Sequence, residues 1–121
     1  MPPRRTTFQL FALEQLGRAV PVTARSMFGG IGISSGGLPF ALLDDDVLYF
    51  KVDDVTRPDF ERLGLGPFRP FGDDGPAMQY YRVAEEILED VDELRAWAGR
   101  ALDAARRARA RKPRPRRPRG G

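Results

Sequence analysis

Between residues 26 and 52 the chain consists of short apolar runs, 26–33, 38–43 and 47–52, cut by Ser34-Ser35-Gly36-Gly37 and by Asp44-Asp45-Asp46. Clusters of Gly, Ser and Asp reverse the backbone, because glycine accepts positive φ and short polar side chains satisfy their own turn. These connections are far too short for parallel strands, whose crossovers need roughly a dozen residues or more. The runs are therefore antiparallel strands. In 47–52, Val47, Tyr49 and Lys51 alternate with Leu48, Phe50 and Val52. One face is apolar and the other amphipathic, as in a sheet covered on one side only.

Helical periodicity surrounds this region. Thr6-Thr7-Phe8-Gln9 has the form of a capping box, and Phe8, Ala12, Leu13, Leu16 and Val20 follow at three- and four-residue spacing. The spacing predicts a helix over 6–19, closed by Gly17 and Pro21. A short helix is predicted over 53–63, capped by Asp54 or Thr56, with Pro58 favouring Thr56 because proline suits only a first turn. Phe60 and Leu63 would point inward, and Gly64 would stop it. Segments 67–71 and 77–83 flank Gly72-Asp73-Asp74-Gly75-Pro76 and read as a second hairpin. Met78, Tyr80 and Arg82 would share one face of it, and Gln79, Tyr81 and Val83 the other. Asp90 and Glu93 open a last helix with the stripe Leu94, Trp97, Ala98, Ala101 and Ala105. The order α-β-β-β-α-β-β-α implies a two-layer α+β fold, an antiparallel five-stranded sheet with its helices packed on one face.

A length of 121 residues suits one domain, and the charges divide it unevenly. Residues 1–99 carry 10 Lys+Arg against 16 Asp+Glu, a net of −6, whereas residues 100–121 carry 10 basic residues and only Asp103, a net of +9. The organisation read from this is a disordered start at 1–5, a domain at 6–107, and a disordered Arg/Pro-rich tail at 108–121, which has no apolar face to offset its chain entropy. Arginine binds phosphate bidentately and stays charged, so Arg106, Arg107, Arg109, Arg111, Lys112, Arg114, Arg116, Arg117 and Arg119 are the candidate contacts for nonspecific nucleic-acid binding. An inert basic extension is the alternative. Nothing approaches the roughly 18 apolar residues of a membrane span, and the absence of cysteine suits a reducing compartment, so a soluble, cytoplasmic protein is expected.

The chain has no histidine and no cysteine, which removes the usual near-neutral acid/base, the thiolate nucleophile and the soft metal ligands. Ser26, Ser34 and Ser35 would need Lys51 or a carboxylate as base, and nothing in the spacing brings one to them. Asp44-Asp45-Asp46 and Asp73-Asp74 lack the alternate acids, central Gly and distal Glu of a calcium loop and read as solvated turns. Gly29-Gly30-Ile31-Gly32 lacks the Gly-Lys-Ser/Thr of a P-loop and the spacing of a dinucleotide fingerprint. It reads as a bulge or sharp bend in one long strand. Tyr80, Tyr81 and Trp97 read as core rather than as a stacking surface. The expectation is a protein without catalytic residues, cofactor or bound metal.

Arg25-Ser26-Met27-Phe28-Gly29-Gly30-Ile31-Gly32-Ile33 resembles the opening signature of the N-terminal domain of the TfoX/Sxy competence-regulator family, with Met27, Phe28, Gly29, Gly30 and Gly32 as its signature positions. Phe40-Ala41-Leu42-Leu43, the block from Asp45 to Asp54, Met78-Gln79-Tyr80-Tyr81-Arg82-Val83 and Leu94-Arg95-Ala96-Trp97-Ala98 follow in the family's order, so the likeness covers 6–107. The resemblance implies a small α+β domain with an antiparallel sheet. In full-length members a helical domain follows, and the protein is a positive regulator of DNA-uptake genes alongside the cyclic-AMP receptor protein. It thus implies a regulatory role and a protein partner in the transcription machinery. A homodimeric ligand- or peptide-binding module with an incidental tail is the alternative.

Overall fold

The Thr6 hydroxyl accepts from the Gln9 amide at 3.1 Å while the Gln9 side chain accepts from the Thr6 amide at 2.8 Å, and helix α1 (Thr7–Ala19) starts at this reciprocal cap. The computed structural model describes residues 5–27, 29–72, 74–75 and 77–111. After α1 come strands β1 (Thr23–Met27), β2 (Gly30–Ser35), β3 (Leu38–Asp44) and β4 (Val47–Lys51), then helix α2 (Arg57–Arg62), strand β5 (Tyr80–Arg82), and helices α3 (Glu85–Glu89) and α4 (Val91–Arg111). The strands form one antiparallel sheet in the order β1-β2-β3-β4-β5. Its helix-covered face supplies Ile31, Ile33, Leu43, Leu48, Phe50 and Tyr81 to the core, where they meet Leu16, Leu94, Ala98 and Ala101.

The turn chemistry explains the sheet's tight meander. Ser35 pairs with Leu38 across Gly36 (φ 56°) and Gly37 (φ 80°), and Asp44 pairs with Val47 across Asp45 (φ 49°) and Asp46 (φ 55°). Two central residues of positive φ make type I′ turns, whose twist matches that of the strands they join. Along β3 the register moves from Ile33↔Ala41 to Ser34↔Pro39, so Phe40 is an extra residue. This bulge lets both Phe40 and Ala41 reach the buried side.

The α+β class, the antiparallel sheet and the placement of helices on one face are as predicted; the element order differs in three places. The run 26–33 is a hairpin rather than one bent strand: Met27 pairs with Gly30, and Gly29 has φ 81°. Four strands therefore precede α2. Segment 67–71 does not become a full strand, since Pro67 and Pro70 have no amide to donate to a ladder. Pro67 makes a single bridge to Tyr81, the Phe68 amide donates to the Tyr80 carbonyl at 2.8 Å, and the chain then turns back as an arm that covers the β5 edge. The short α3, absent from the predicted order, buries Ile87 and Leu88 and ends at Asp90, whose carboxylate caps α4 through the amides of Asp92 and Glu93.

Two smaller corrections concern helix ends. Leu63, expected inward, is exposed because α2 stops at Arg62 and Gly64 takes φ 75°. Helix α4 runs through Arg111, four residues into the segment expected to be disordered, because Arg107, Arg109 and Arg111 find partners on the domain.

Candidate functional site on the open sheet face

Strand alternation sends Leu48 and Phe50 to the core and Val47, Tyr49 and Lys51 to the other side. The register extends this second face across the sheet. Arg25 opposes Gly32, Gly32 opposes Leu42, Leu42 opposes Tyr49, and Tyr49 opposes Arg82, while Lys51 opposes Tyr80. Among the described residues no helix covers this face. The described residues of the arm, 66–72 and 77–78 among them, fold partly over it, with the Phe68 ring 4.8 Å from that of Tyr49. Between arm and sheet lies a groove of about 540 Å³ whose walls include Leu42, Phe68, Phe71 and Met78 and whose only charged lining residue, among the described residues, is Asp44. Phe71 is 77% exposed at its rim.

Gly30 forms the groove's floor for a steric reason. A Cβ there would lie 2.5 Å from the Leu43 carbonyl oxygen and 3.5 Å from Asp44 Oδ1. The Met27-to-Gly32 signature thus builds a hairpin turn and a bare floor, with Gly29 in the left-handed region and Gly32 central in the row. Phe28 lies outside the described residues. Burial raises the Tyr49 phenol above its usual value, helped by Asp44 and opposed by Arg82, and burial does the same to Tyr80. Both remain neutral phenols near pH 7. The Lys51 ammonium stands 5.2 Å from the Tyr80 ring centroid, within cation–π range.

A second polar centre anchors the end of α4. Asp53, only 7% exposed, accepts from the amides of Val55 and Thr56, and its own amide donates to Thr56 Oγ1. Thr56 holds the N-cap position of α2, as Pro58 favoured over Asp54, but its side chain caps no helix amide; it closes the preceding turn reciprocally with Asp53. The same carboxylate takes Arg107 Nε at 2.5 Å and Nη2 at 3.1 Å, with Arg111 at 3.7 Å. The Arg107 hydrogen bond is the main cause that holds the Asp53 carboxyl down at about 2. Alongside lies a polar cleft of about 220 Å³ lined by Lys51, Asp53, Asp54, Arg57, Gln79 and Arg111 among others.

Of the nine basic residues singled out from the sequence, Arg106 is bonded to Asp103, Arg107 to Asp53, Arg109 to the Gly37 carbonyl, and Arg111 faces Asp53. Lys112, Arg114, Arg116, Arg117 and Arg119 lie outside the described residues. Asp44-Asp45-Asp46 forms a turn, and Asp46 accepts from the Thr6 hydroxyl at 2.7 Å, tying the hairpin to α1. Among the described residues no group of three or more carboxylates is placed to hold a metal ion. Ser26, Ser34 and Ser35 sit at strand positions, and among the described residues none is hydrogen-bonded to a carboxylate. Tyr81 is buried, with its hydroxyl on Glu61, and Trp97 packs edge-on against Phe60, whereas Tyr80 turns to the open face.

The family profile described as the TfoX N-terminal domain matches residues 14–105. The chain belongs to the TfoX N-terminal domain family. No curated protein matches it. In this TfoX N-terminal domain the signature glycines serve the first hairpin and the groove floor, and α1 and α4 leave the opposite sheet face uncovered. Among the described residues no helix is long and apolar enough to cross a membrane. The open face beside the groove had a partial signal in the sequence, the outward alternation of Tyr49 and Lys51. The groove's wall on the arm had none, because the fold-back of 66–78 depends on where β5 ends up.

Proposed function

We propose that this TfoX N-terminal domain is a non-catalytic regulatory module that makes protein contacts through its folded part and nonspecific nucleic-acid contacts through its basic C-terminal end. The supporting observation is the segregation of charge: a net of −6 over residues 1–99 against +9 over 100–121, with α4 holding the start of the basic segment at a defined point of the domain. Such a segment neutralises phosphates and releases counterions, so its affinity is independent of sequence and sensitive to salt. Because Arg106, Arg107, Arg109 and Arg111 already have partners on the domain, most of the affinity is assigned to the five cations beyond them. The absence of histidine and cysteine from the chain supports the non-catalytic reading.

The test replaces Lys112, Arg114, Arg116, Arg117 and Arg119 with Gln together and measures duplex DNA binding against salt. The expected loss is most of the affinity, with a log–log salt slope shallower by about 4 to 5. Unchanged duplex binding would remove the segment's role. The apolar groove favours a second reading, a homodimeric ligand- or peptide-binding module. A concentration-dependent dimer in sedimentation, abolished by Phe71→Asp, is its signature.

A further inference from the structure

The outward strand positions of the open face carry Arg25, Lys51 and Arg82 against a single acid, Asp44, on a body whose residues 1–99 are net negative. Aromatic rings alternate with these cations: Tyr49 lies beside Arg82, Tyr80 beside Lys51, and Phe68 and Phe71 stand above them on the arm. Gly30 and Gly32 remove side chains from the sheet between Arg25 and Leu42. The basic end of α4 arrives at the same border, since Arg111 and Lys51 line one cleft. Cations for a phosphate backbone, ring faces for bases and a bare floor in between are what a flexible strand with unpaired bases needs. A duplex keeps its bases stacked inward and cannot use the rings.

We propose that the open sheet face is a single-stranded nucleic-acid platform, with Phe71, Tyr80 and Tyr49 stacking on bases and Arg25, Arg82 and Lys51 contacting phosphates. The groove between Gly30 and Phe71 seats one base, and Asp44 at its end accepts a hydrogen bond from an exocyclic amine, a group that cytosine and adenine carry and thymine lacks. Charge complementarity selects the occupant: among the outward strand positions a basic peptide would face three cations, whereas a polyanion would meet one acid, Asp44, with Asp45 at the adjoining turn also acting on Tyr49. The assignment rests on the nucleic-acid reading above and adds to it a second contact with a different specificity.

The experiment uses the full chain and compares a labelled single strand of about 15 nucleotides, of mixed sequence, with the corresponding duplex, by fluorescence anisotropy at several salt concentrations. The expected result is a preference for the single strand. Phe71→Ala and Tyr80→Ala should each weaken single-strand binding by about 5- to 100-fold and leave duplex binding within about two-fold. Arg25→Gln with Arg82→Gln should make the single-strand salt slope shallower by about 1 to 2, which guards against a ring substitution acting through the fold. Asp44→Asn should lower the preference for oligocytidine over oligothymidine. If the face variants bind the single strand like the unaltered chain while the five-Gln variant loses it, the platform is refuted and the C-terminal contact stands. If no nucleic acid binds the unaltered chain, both fail. A dimer that the Phe71 and Tyr80 substitutions dissociate, with single-strand binding unchanged, overturns the platform in favour of a protein partner on this face.

Discussion

A methyl group on Gly30 would meet the Leu43 carbonyl oxygen at 2.5 Å, and backbone on the central pair of the sheet has little room to yield. Gly30→Ala should cost about 1 to 3 kcal/mol in urea unfolding, as overpacking does. Gly36, in open space at φ 56°, is strained differently: Gly36→Ala should lose about 1 kcal/mol through the left-handed conformation alone. Asp53 acts through charge. Its folded pKa of about 2 lies below the ordinary 3.8, so its contribution is fully present above about pH 4 and is lost as pH falls from there through 2. The contribution is roughly 2 kcal/mol at most, and less once screening at the 39% exposed Arg107 is counted. Asp53→Asn should lower stability at pH 7 and flatten the acid limb between pH 4 and 2, read from urea midpoints across that window.

At the scale of elements, the packing of α4 on the sheet depends on small residues. Ala98, Ala101 and Ala105 are buried in the core together with the larger Leu94 and Leu102, on a helix that meets β3 and β4. Buried alanines let a helix axis approach a sheet closely, and close-packed interiors have little room for a larger side chain. Ala101→Leu should therefore destabilise by about 1 to 3 kcal/mol despite its better hydrophobicity, seen as a lower thermal midpoint. The start of α4 is a separate matter. Asp90 satisfies two free amides, and Asp90→Ala should cost about 1 kcal/mol. These features were visible as a periodic stripe and a capping pattern in the sequence. The hairpin at Met27 and Gly30 was harder to see, because a bend within one strand and a reversal between two use the same glycines.

For the molecule as a whole, the question is how the basic segment is joined to the acidic domain. Arg107 reaches across to Asp53 and Arg109 to the Gly37 carbonyl, so the last turns of α4 are clamped to the β2–β3 turn and to the entrance of α2. A chain ended after Arg111 should unfold within about 0.5 kcal/mol of the full-length chain, as expected for changes away from packed or paired groups. Ending it after Arg106 should cost about 1 to 2 kcal/mol, because Asp53 would stay buried without its cation. Urea unfolding of the two truncated chains gives the comparison. The clamp also fixes where the segment leaves the domain, beside Lys51 at the border of the open face.

Local patterns in the sequence determined the antiparallel sheet, its β2–β3 and β3–β4 turns, the first and last helices and the family, since each rests on neighbours a few residues apart. Period-two alternation even marked Tyr49 and Lys51 as outward. Only the tertiary structure decided what lay across from them: Gly32 and Arg25 on one side, Arg82 on the other, and the arm with Phe68 and Phe71 above. It also decided that Arg107 belongs to Asp53, 54 positions away. The physical reason is common to both. Register and long-range charge pairing are set by how the whole core packs, and residues distant along the chain leave no periodic trace of that packing in the sequence.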